Sequence, residues 1–315
     1  MCLLYIKGVL YGLNLLMTGG DFLRGPLAIN FESLWQEGMH DWQGNMPERM
    51  KDDTLEEAFW RQSIAKKIIR QIDDHAKPIF EIIQQYIHPT DEVLEIGPGW
   101  GNYTFPLQAY ARKVTCVDSS EAVLDYLKMC FQEAQNVHYV YGKWEQADVE
   151  AHDIVVGVNC FYRMYYMLST LKKMNALAKK RVIIGMTTGP IQPHYKVLDE
   201  EFGYEIKYPR RDYIQIVNML YQLGIFADCQ MLQLERTYHY ATKEELIAAQ
   251  SKKILSGHYD PKHVEQALEP FITVDAEGYH YKHTFNAAVI SWKPVKEVLN
   301  DDVEFARNAK TFAHL

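Results

Sequence analysis

The stretch VLEIGPGWGNYT, from Val93 to Thr104, carries three glycines at alternate positions directly after a short apolar run. Glycine has no Cβ, so a backbone that contains it can approach another group closely. The apolar run predicts a buried strand, and the residues after the glycines predict the start of a helix. In open α/β sheets, ligands bind beyond the carboxyl ends of the strands. We therefore expect a ligand site at Gly97, Gly99 and Gly101.

Further short apolar runs follow, and most of the segments between them have the pattern of helices. These runs are Lys113–Val117, Val137–Tyr141, Asp153–Val158, Arg181–Met186, Gln230–Leu234 and Phe285–Trp292. Apolar strands that alternate with helices are typical of a parallel sheet covered on both faces. With Glu92–Ile96 as the first strand, the sequence predicts an α/β fold with a doubly wound, mostly parallel, seven-stranded sheet.

Composition restricts the functional classes. The chain has 315 residues, of which 48% are hydrophobic and 23% charged, and its formal net charge is −8. This negative charge disfavours a large nucleic-acid interface. The five cysteines are scattered without a CxxC pair, which argues against a metal cluster or a disulfide framework. The apolar segment Leu3–Met17 is too short and too interrupted to span a membrane, so we expect no membrane association and a cytoplasmic protein.

The N-terminal part differs in texture from the rest. We expect residues 1–88 to form an arm and a helical cap, residues 89–293 the main domain, and residues 294–315 a tail. Residues 1–16 could instead lie upstream of a true start at Met17. Thr54 and Glu57 have the spacing of a capping box, which predicts a helix start. The aromatic residues between 30 and 60 need an apolar surface to pack on. They could form a lid on the open edge of the sheet, pack on its outer face, or form a homodimer contact. These aromatic residues are Trp35, Trp42, Phe59 and Trp60.

The glycine spacing separates two ligand classes. Dinucleotide enzymes use G-x-G-x-x-G, whereas this chain has G-x-G-x-G followed by Tyr103 and Thr104. Glu95 also stands two positions before the first glycine. A carboxylate would repel a pyrophosphate but attract an ammonium group.

The motif EIGPGWG resembles the first motif of class I S-adenosylmethionine-dependent methyltransferases. In that family an acidic residue after the second strand accepts hydrogen bonds from the ribose hydroxyls; in VTCVDSS this is Asp118. VYGKWEQAD follows the third strand, where the family contacts adenine, and HDIVVGVNCFY matches its fourth strand. The similarity covers about residues 90–190 and extends less closely to 293. It implies a Rossmann-like methyltransferase fold with S-adenosylmethionine as cofactor and S-adenosylhomocysteine as product.

The resemblance implies a set of cofactor-binding residues. They are Glu95, Gly97, Pro98, Gly99, Gly101, Asp118, Ser119, Lys143, Trp144, Glu145 and Asn159. Lys143 stands where the family often has an acidic residue, so the backbone at Trp144 and Glu145 is the expected adenine contact. Asp118 could alternatively cap the next helix, although Ser119 or Ser120 could do so instead.

Methyl transfer is an in-line displacement in which the protein mainly aligns donor and acceptor. A hydroxyl, phenol or ammonium acceptor would also lose a proton, which requires a base. Tyr162 and His194 are the candidate catalytic residues, with Tyr195 beside His194; each could equally shape the pocket. We expect Cys160 to be a core thiol. We expect no metal, because His280 and His283 would point to opposite faces of an extended strand.

Three functions stay open at this point. We favour transfer of a methyl group to a small-molecule acceptor. The alternatives are transfer of an aminopropyl-type group and a non-catalytic S-adenosylmethionine sensor or subunit. Arg163, Arg210 and Arg211 could hold an anionic acceptor or be solvated. The aromatic residues near the presumed mouth would suit a flat apolar or cationic acceptor, or pack a helix; they are Phe161, Tyr162, Tyr165 and Tyr166. The sequence does not identify the acceptor.

Overall fold

One sheet lies at the centre of the fold. In this computed structural model, which describes residues 29–66 and 70–296, the sheet has eight strands. The strands are β1 Glu92–Ile96, β2 Lys113–Asp118, β3 Val137–Tyr141, β4 His152–Val158, β5 Ala178–Thr188, β6 Asp228–Tyr240, β7 Ile272–Asp275 and β8 Gly278–Trp292. Their order is β3-β2-β1-β4-β5-β8-β6, and β7 pairs with β8. The pairs among β1 to β5 are parallel, whereas β8 runs antiparallel to β5, β6 and β7. The expected doubly wound, mostly parallel α/β sheet is confirmed, with short β7 as an eighth strand.

The helices surround this sheet. They are α1 Phe31–Glu37, α2 Glu48–Lys51, α3 Asp53–Ala65, α4 Lys77–Gln84, α5 Thr104–Tyr110, α6 Glu121–Cys130, α7 Met167–Leu177, α8 Pro193–Glu200, α9 Tyr213–Gln222, α10 Lys243–Gln250 and α11 Pro261–Leu268. Apolar side chains of α1, α7 and α9 pack on one face of the sheet, with Leu94 and Val155. Those of α4, α5 and α6 pack on the other, with Val93 and Ile154. The central strands β1, β2 and β4 are therefore buried on both faces, which explains their continuous apolar runs.

The order of the strands creates a switch point. β1 lies between β2 and β4, and Ile96 is the register partner of both Val117 and Gly157. The chain leaves β1 and β4 in opposite directions along the sheet, so their carboxyl ends are left open to a ligand. The glycine turn after β1, Asp118 at the end of β2 and Asn159 after β4 all lie at this edge.

The strands β6 and β8 are longer than the sequence pattern predicts. The expected segments are Gln230–Leu234 and Phe285–Trp292, but the two strands stay paired as far as Tyr240 and Tyr279. Their extended part packs with α8, α10 and α11 in a separate cluster that includes Tyr195 and Tyr281. This cluster lies beyond the carboxyl edge of the sheet. It therefore adds a wall to the region where a ligand would bind.

The N-terminal helices lie across the same edge. Trp35 of α1 is 1% exposed and its Nε1 donates to the carbonyl of Met164 at 2.8 Å. Trp60 of α3 packs edge-on against Trp100 in the glycine turn, with ring centres 5.6 Å apart. The packing expected of these two tryptophans is therefore present, but Trp42 and Phe59 are 43% and 37% exposed.

The start of α3 differs from the expectation. Its N-cap is Asp52, whose carboxylate accepts a hydrogen bond from the backbone N–H of Thr54 at 2.8 Å. Thr54 thus lies inside the helix, and Glu57 is free to contact another helix. The capping-box prediction was wrong because the competing acidic residue two positions earlier takes the cap.

Some expectations fall outside the described residues. These are the N-terminal arm up to residue 28, including Leu3–Met17, and most of the predicted tail, residues 297–315. Among the residues that are described, no helix is long and apolar enough to cross a membrane. The same residues contain no cluster of three or more His, Cys, Asp or Glu side chains arranged to hold a metal ion. The domain limits at 88 and 293 stay a prediction.

Candidate functional site

The glycine turn has the backbone that its sequence predicts. Gly97, Gly99 and Gly101 have φ angles of 59°, 55° and 82°, a region that side chains with a Cβ rarely adopt. A Cβ added at Gly97 would lie 2.5 Å from Cβ of Cys160, and one at Gly99 would lie 3.0 Å from the ring of Trp60. Gly97 and Gly99 line a cavity, together with Pro98 between them. The turn is therefore close to its protein neighbours and is also accessible to a ligand.

Gly101 has a different environment. It does not line the cavity. A Cβ at this position would lie 3.0 Å from Leu127 and 3.2 Å from Phe105. The structure therefore places Gly101 at the packing of α5 against α6, and its expected contact with the cofactor is not supported.

Glu95 is a buried carboxylate in the wall of the cavity. It is 3% exposed, and its Oε2 accepts a hydrogen bond from Thr104 Oγ1 at 2.7 Å. Burial raises the pKa of Glu95 to about 7, and the charge of nearby Asp118 adds to this. Buried carboxylates have raised pKa values because the charged form loses its hydration. A cationic ligand would compensate for that loss.

Asp118 lies at the end of β2, 9% exposed, and lines the same cavity. Its Oδ1 accepts a hydrogen bond from the backbone N–H of Ser120 at 2.9 Å. Burial raises the pKa of Asp118 to about 6, against the backbone hydrogen bonds of Ser120, Gly99 and Ser119. Ser120, not Asp118, is the N-cap of α6, because its hydroxyl accepts from Val123 N at 3.2 Å. Asp118 is thus available to a ligand, and Ser119 beside it also lines the cavity.

The loop after β3 forms another part of the wall. Lys143, Trp144 and Glu145 all line the cavity. The ammonium group of Lys143 lies 2.7 Å from Asp53 Oδ2 at the start of α3. The side chain of Trp144 is 3% exposed and its carbonyl accepts from Lys173 at 2.6 Å. The side chain of Lys143 is therefore ion-paired with the N-terminal helix α3.

The residues after β4 approach the glycine turn. Asn159 has a φ angle of 53°, and its Oδ1 accepts from the backbone N–H of Thr187 at 2.9 Å. Burial raises the pKa of the Cys160 thiol well above its usual value, so this thiol is protonated at neutral pH, as expected for a core cysteine. Both residues line the cavity.

Tyr162 belongs to a polar cluster that the sequence did not predict. Its hydroxyl donates to Glu56 Oε1 and accepts from Trp60 Nε1 at 3.2 Å. Trp60 Nε1 also donates to Glu56 Oε1 at 2.8 Å, and Arg49 Nε lies 3.2 Å from Glu56 Oε2. Glu56 is 3% exposed and lines the cavity. A single acidic residue in an amphipathic helix gives no signal of this kind, because its burial depends on where α3 docks.

Tyr162 is not suited to act as a base by itself. Burial, followed by the hydrogen bond to Glu56 and the charge of that carboxylate, raises the pKa of its hydroxyl above the usual value. The phenol therefore stays protonated at neutral pH. Within this cluster, the carboxylate of Glu56 is the group that could accept a proton.

His194 lies away from the cavity. It is fully buried in α8, with Nδ1 2.9 Å from the Tyr281 hydroxyl and Nε2 3.0 Å from the carbonyl of Gln250. Burial lowers its pKa to about 4. Both ring nitrogens are hydrogen-bonded inside the cluster that includes Tyr195 and Tyr281, so the geometry does not support His194 as a base. The neighbouring Tyr195 is 2% exposed and packs in the same cluster.

The cavity has a volume of about 820 Å³, within the usual range for small-molecule sites. It begins at the glycine turn, passes Tyr162 and Arg163, and reaches the extended part of β6 and β8. Three lining residues at its far end were not predicted from sequence: Arg236, Lys253 and His283. Of the predicted arginines, Arg211 lines the cavity, and its side chain donates to the carbonyl of Tyr162 at 2.7 Å. Arg210 is exposed and donates to the carbonyls of His40 and Asp41.

Several known proteins are similar to this chain in sequence or in fold. A curated protein of Haemophilus influenzae, itself uncharacterised, is 29% identical over 202 residues, covering 58% of this chain and 73% of that protein. A candidate methyltransferase from Bacillus halodurans is 15% identical, with a TM-score of 0.46 over 70% of this chain and 98% of its own. A precorrin 8w decarboxylase from Methanobacterium thermoautotrophicum is 15% identical, with a TM-score of 0.41 over 68% and 89%. A candidate type II methyltransferase from Anaeromyxobacter dehalogenans is 12% identical, with a TM-score of 0.49 over 73% and 99%. Likeness at this level supports no function by itself.

The match to a family model is more specific. A model described as a methyltransferase domain matches residues 93–181. This range begins in β1 and ends in β5, so it includes the glycine turn, Asp118 and Asn159. The motifs that resemble those of class I S-adenosylmethionine-dependent methyltransferases therefore lie inside the part of the chain that matches a methyltransferase domain.

Proposed function

We propose that this enzyme transfers the methyl group of S-adenosylmethionine to a small-molecule acceptor that enters the same cavity. The observation that carries this proposal is the cavity itself. It extends from Glu95, Gly97 and Asp118 past Tyr162 to a far wall of β6 and β8, under the cover of α3. A concave cavity of about 820 Å³, with α3 on one side, favours a small acceptor over a surface of RNA or protein.

The residues at the turn fit the cofactor. The raised pKa values of Glu95 and Asp118 mean that both carboxylates are poorly hydrated, and a ligand with cationic and hydroxyl groups would stabilise their charged forms. We assign Asp118 to the ribose hydroxyls, Glu95 to the methionine ammonium group directly or through water, and the loop from Gly142 to Gln146 to adenine. Gly97 and Gly99 leave room for the ligand beside the turn.

The chemistry then depends mainly on alignment. S-adenosylmethionine, when bound, supplies a methyl group on a positively charged sulfur, which is already activated for displacement. The protein holds the acceptor in line with that methyl group and excludes water. We assign this alignment to two residues that line the cavity: Asn159, which is bonded to Thr187 of β5, and Tyr162, which is bonded to Glu56 of α3. We assign to Glu56, a buried carboxylate that lines the cavity, the proton that a hydroxyl or ammonium acceptor releases.

Calorimetric titration tests the cofactor assignment. We expect S-adenosylmethionine and S-adenosylhomocysteine to bind the full chain, and Asp118→Ala to weaken both by roughly 1–3 kcal/mol because the ribose hydroxyls lose their acceptor. Asp125→Ala is the matched control, since Asp125 is exposed on α6 and pairs with Lys128. Unchanged affinity in a folded Asp118→Ala protein would remove Asp118 from the site.

Methyl-labelled donor tests the acceptor class. A cell extract is divided into a small-molecule fraction, an RNA fraction and a protein fraction, and each is incubated with enzyme and donor. We expect the label in the small-molecule fraction. Label confined to RNA or protein would contradict the proposal. Binding without transfer to any fraction would favour a sensor, and transfer of a group other than methyl would favour an aminopropyl-type enzyme.

A further inference from the structure

The far end of the cavity is basic. Arg236 and Tyr238 of β6, His283 of β8, and Lys253 after α10 line it. These residues come from the parts of β6 and β8 that extend beyond the sheet. They lie outside the range 93–181 that matches the methyltransferase family model.

The two cations at this end have no acidic partner among residues 29–66 and 70–296. Lys253 Nζ donates to Gln192 Oε1 at 2.8 Å, and burial lowers the pKa of Lys253. The guanidinium carbon of Arg236 lies 4.7 Å from the ring centre of Tyr238. A half-buried lysine without a carboxylate is costly because its charge is partly dehydrated. A bound anion would stabilise it.

His283 provides an independent observation. It is 8% exposed, and its ring stacks on Tyr238 with centres 5.7 Å apart and planes 6° apart. Its Nδ1 lies 3.3 Å from the carbonyl of Thr284, whereas its Nε2 is buried and has no hydrogen-bond partner within the described parts of the chain. Buried polar atoms are nearly always paired in native proteins. The unpaired Nε2 in the cavity wall is therefore open to a ligand atom, and a bound anion would favour the protonated imidazole, in which Nε2 donates while Nδ1 donates to Thr284.

The acidic groups lie elsewhere along the cavity. Glu56, Glu95 and Asp118 are grouped around the glycine turn. The charge of Glu56 raises the pKa of Asp118, and the charge of Asp118 raises the pKa of Glu95. Asp212 also lines the cavity, but its carboxylate accepts hydrogen bonds from Tyr213 N and Thr188 Oγ1, both at 2.7 Å. The carboxylates thus lie near the turn, where Lys143 and Arg163 pair with Asp53 and Arg211 donates to the carbonyl of Tyr162. The cations at the far end have none of these carboxylates beside them.

The strand register gives the scale of this separation. Asn286 of β8 pairs with Thr188 at the end of β5, and His283 lies three residues further along β8. At about 3.3 Å per residue, His283 is roughly 10 Å beyond the end of β5 along the strand. Asn159 is bonded to the neighbouring Thr187. A ligand group at His283 would therefore be well separated from one beside Asn159.

We propose that the acceptor is an elongated small molecule with a terminal carboxylate or phosphate, and that Lys253, Arg236 and His283 bind this anionic group. The proposal rests on the methyl transfer proposed above, and names the class of its acceptor. The atom that receives the methyl group lies near Asn159 and Tyr162, roughly 10 Å from the anionic group.

Anion titrations of the full chain test the subsite at low ionic strength, where surface charges are least screened. The probes are inorganic phosphate and succinate, and the stronger of the two identifies the anion type. We expect saturable binding that Lys253→Gln combined with Arg236→Gln weakens by about tenfold or more, because charge-assisted hydrogen bonds are lost. The matched control is Lys282→Gln. Lys282 is adjacent to His283 on β8 but is exposed and paired with Glu235 at 2.8 Å, so this variant should bind both probes as the wild type does.

The same samples are titrated with S-adenosylhomocysteine, which should bind equally to all of them. Two results would overturn the subsite: no saturable anion binding, or equal anion binding in all variants. If S-adenosylhomocysteine binding is intact in that case, the proposed function still stands. Saturable, variant-sensitive anion binding without S-adenosylhomocysteine binding would support the subsite and contradict the proposed function. Labelled methyl product from the extract should also be retained by an anion-exchange resin; a product that passes through would overturn the subsite.

Discussion

Trp60 of α3 lies so close to Gly99 in the glycine turn that a Cβ on Gly99 would be 3.0 Å from its ring. The turn therefore contacts the N-terminal cap as well as the cofactor region. Substitution at this glycine has two separable costs, since the φ angle of 55° strains any other residue and the added carbon meets the tryptophan.

Comparison of Gly99→Ala with Gly203→Ala separates the cost of the φ angle from the cost of the contact with Trp60. We expect Gly99→Ala to lower the free energy of unfolding by roughly 1–2 kcal/mol through the φ angle and by about 1 kcal/mol more through the contact with Trp60. Gly203→Ala is the control, because Gly203 has a φ of +70° and nothing within 4 Å of an added Cβ. Denaturant unfolding of both variants measures the difference. Equal losses would show that α3 yields freely at this contact.

The pKa of Glu95 predicts a pH dependence of cofactor binding. With a pKa of about 7, the carboxyl group is largely protonated below pH 6 and ionised above pH 8. An ammonium group binds the ionised form, so the affinity for S-adenosylmethionine should rise with pH through about 7 and then level off. Glu95→Gln should flatten this rise in calorimetric titrations, whereas Glu133→Gln, at an exposed position, should not. A rise that persists in Glu95→Gln would assign the titration to another group.

The same residue predicts an opposite trend for stability without cofactor. A folded-state pKa raised from 4.5 to about 7 means that folding favours the protonated form. The stabilisation is complete below about pH 4.5 and is lost as the pH rises through about 7. At pH 8, Glu95→Gln should therefore be more stable than the wild type by up to roughly 3 kcal/mol, and the difference should vanish near pH 4. Thermal unfolding at the two pH values measures it.

The sequence predicted the parallel part of the fold well. Parallel strands covered by helices favour continuous apolar runs, and the runs at Glu92–Ile96 and Val137–Tyr141 match β1 and β3 residue for residue. The positions of the glycine turn and Asp118 follow from this order, since the turn comes directly after β1 and Asp118 ends β2. In the part of the chain that contains the glycine turn and Asp118, the apolar pattern of the sequence is therefore enough to predict the strands.

The far wall of the cavity could not be predicted in the same way. Lys253 and His283 are 30 residues apart, and only the pairing of extended β6 and β8 with the cluster around Tyr281 brings them to one cavity. His194 was misread for the corresponding reason. Nothing local distinguishes a histidine that faces a cavity from one whose two nitrogens bond to Tyr281 and Gln250.

Glu57 fastens α3 to the N-terminus of α6. Its Oε2 accepts from Ser120 Oγ at 2.6 Å and its Oε1 from the backbone N–H of Ala122 at 3.0 Å. Glu57→Ala should loosen α3, increase amide hydrogen exchange in residues 53–65, and slow methyl transfer because water enters the cavity. Glu48→Ala is the control, since Glu48 is exposed and pairs with Lys51. Unchanged exchange and transfer in Glu57→Ala would show that α3 is held by its apolar contacts alone.

The contact between Glu56 and Tyr162 predicts how proton removal would depend on each residue. If Glu56 accepts the acceptor's proton, Glu56→Gln should slow labelled-methyl transfer by roughly 10²-fold or more, because amide nitrogen and oxygen cannot take up a proton at neutral pH. Tyr162→Phe keeps the carboxylate and removes one of its hydrogen bonds, so its effect should be smaller, about tenfold. Both variants should bind S-adenosylhomocysteine as the wild type does, which separates chemistry from cofactor affinity. Glu56→Asp restores a carboxylate, so it should transfer methyl faster than Glu56→Gln. A Tyr162→Phe loss as large as that of Glu56→Gln, with no recovery in Glu56→Asp, would show that this cluster only positions α3.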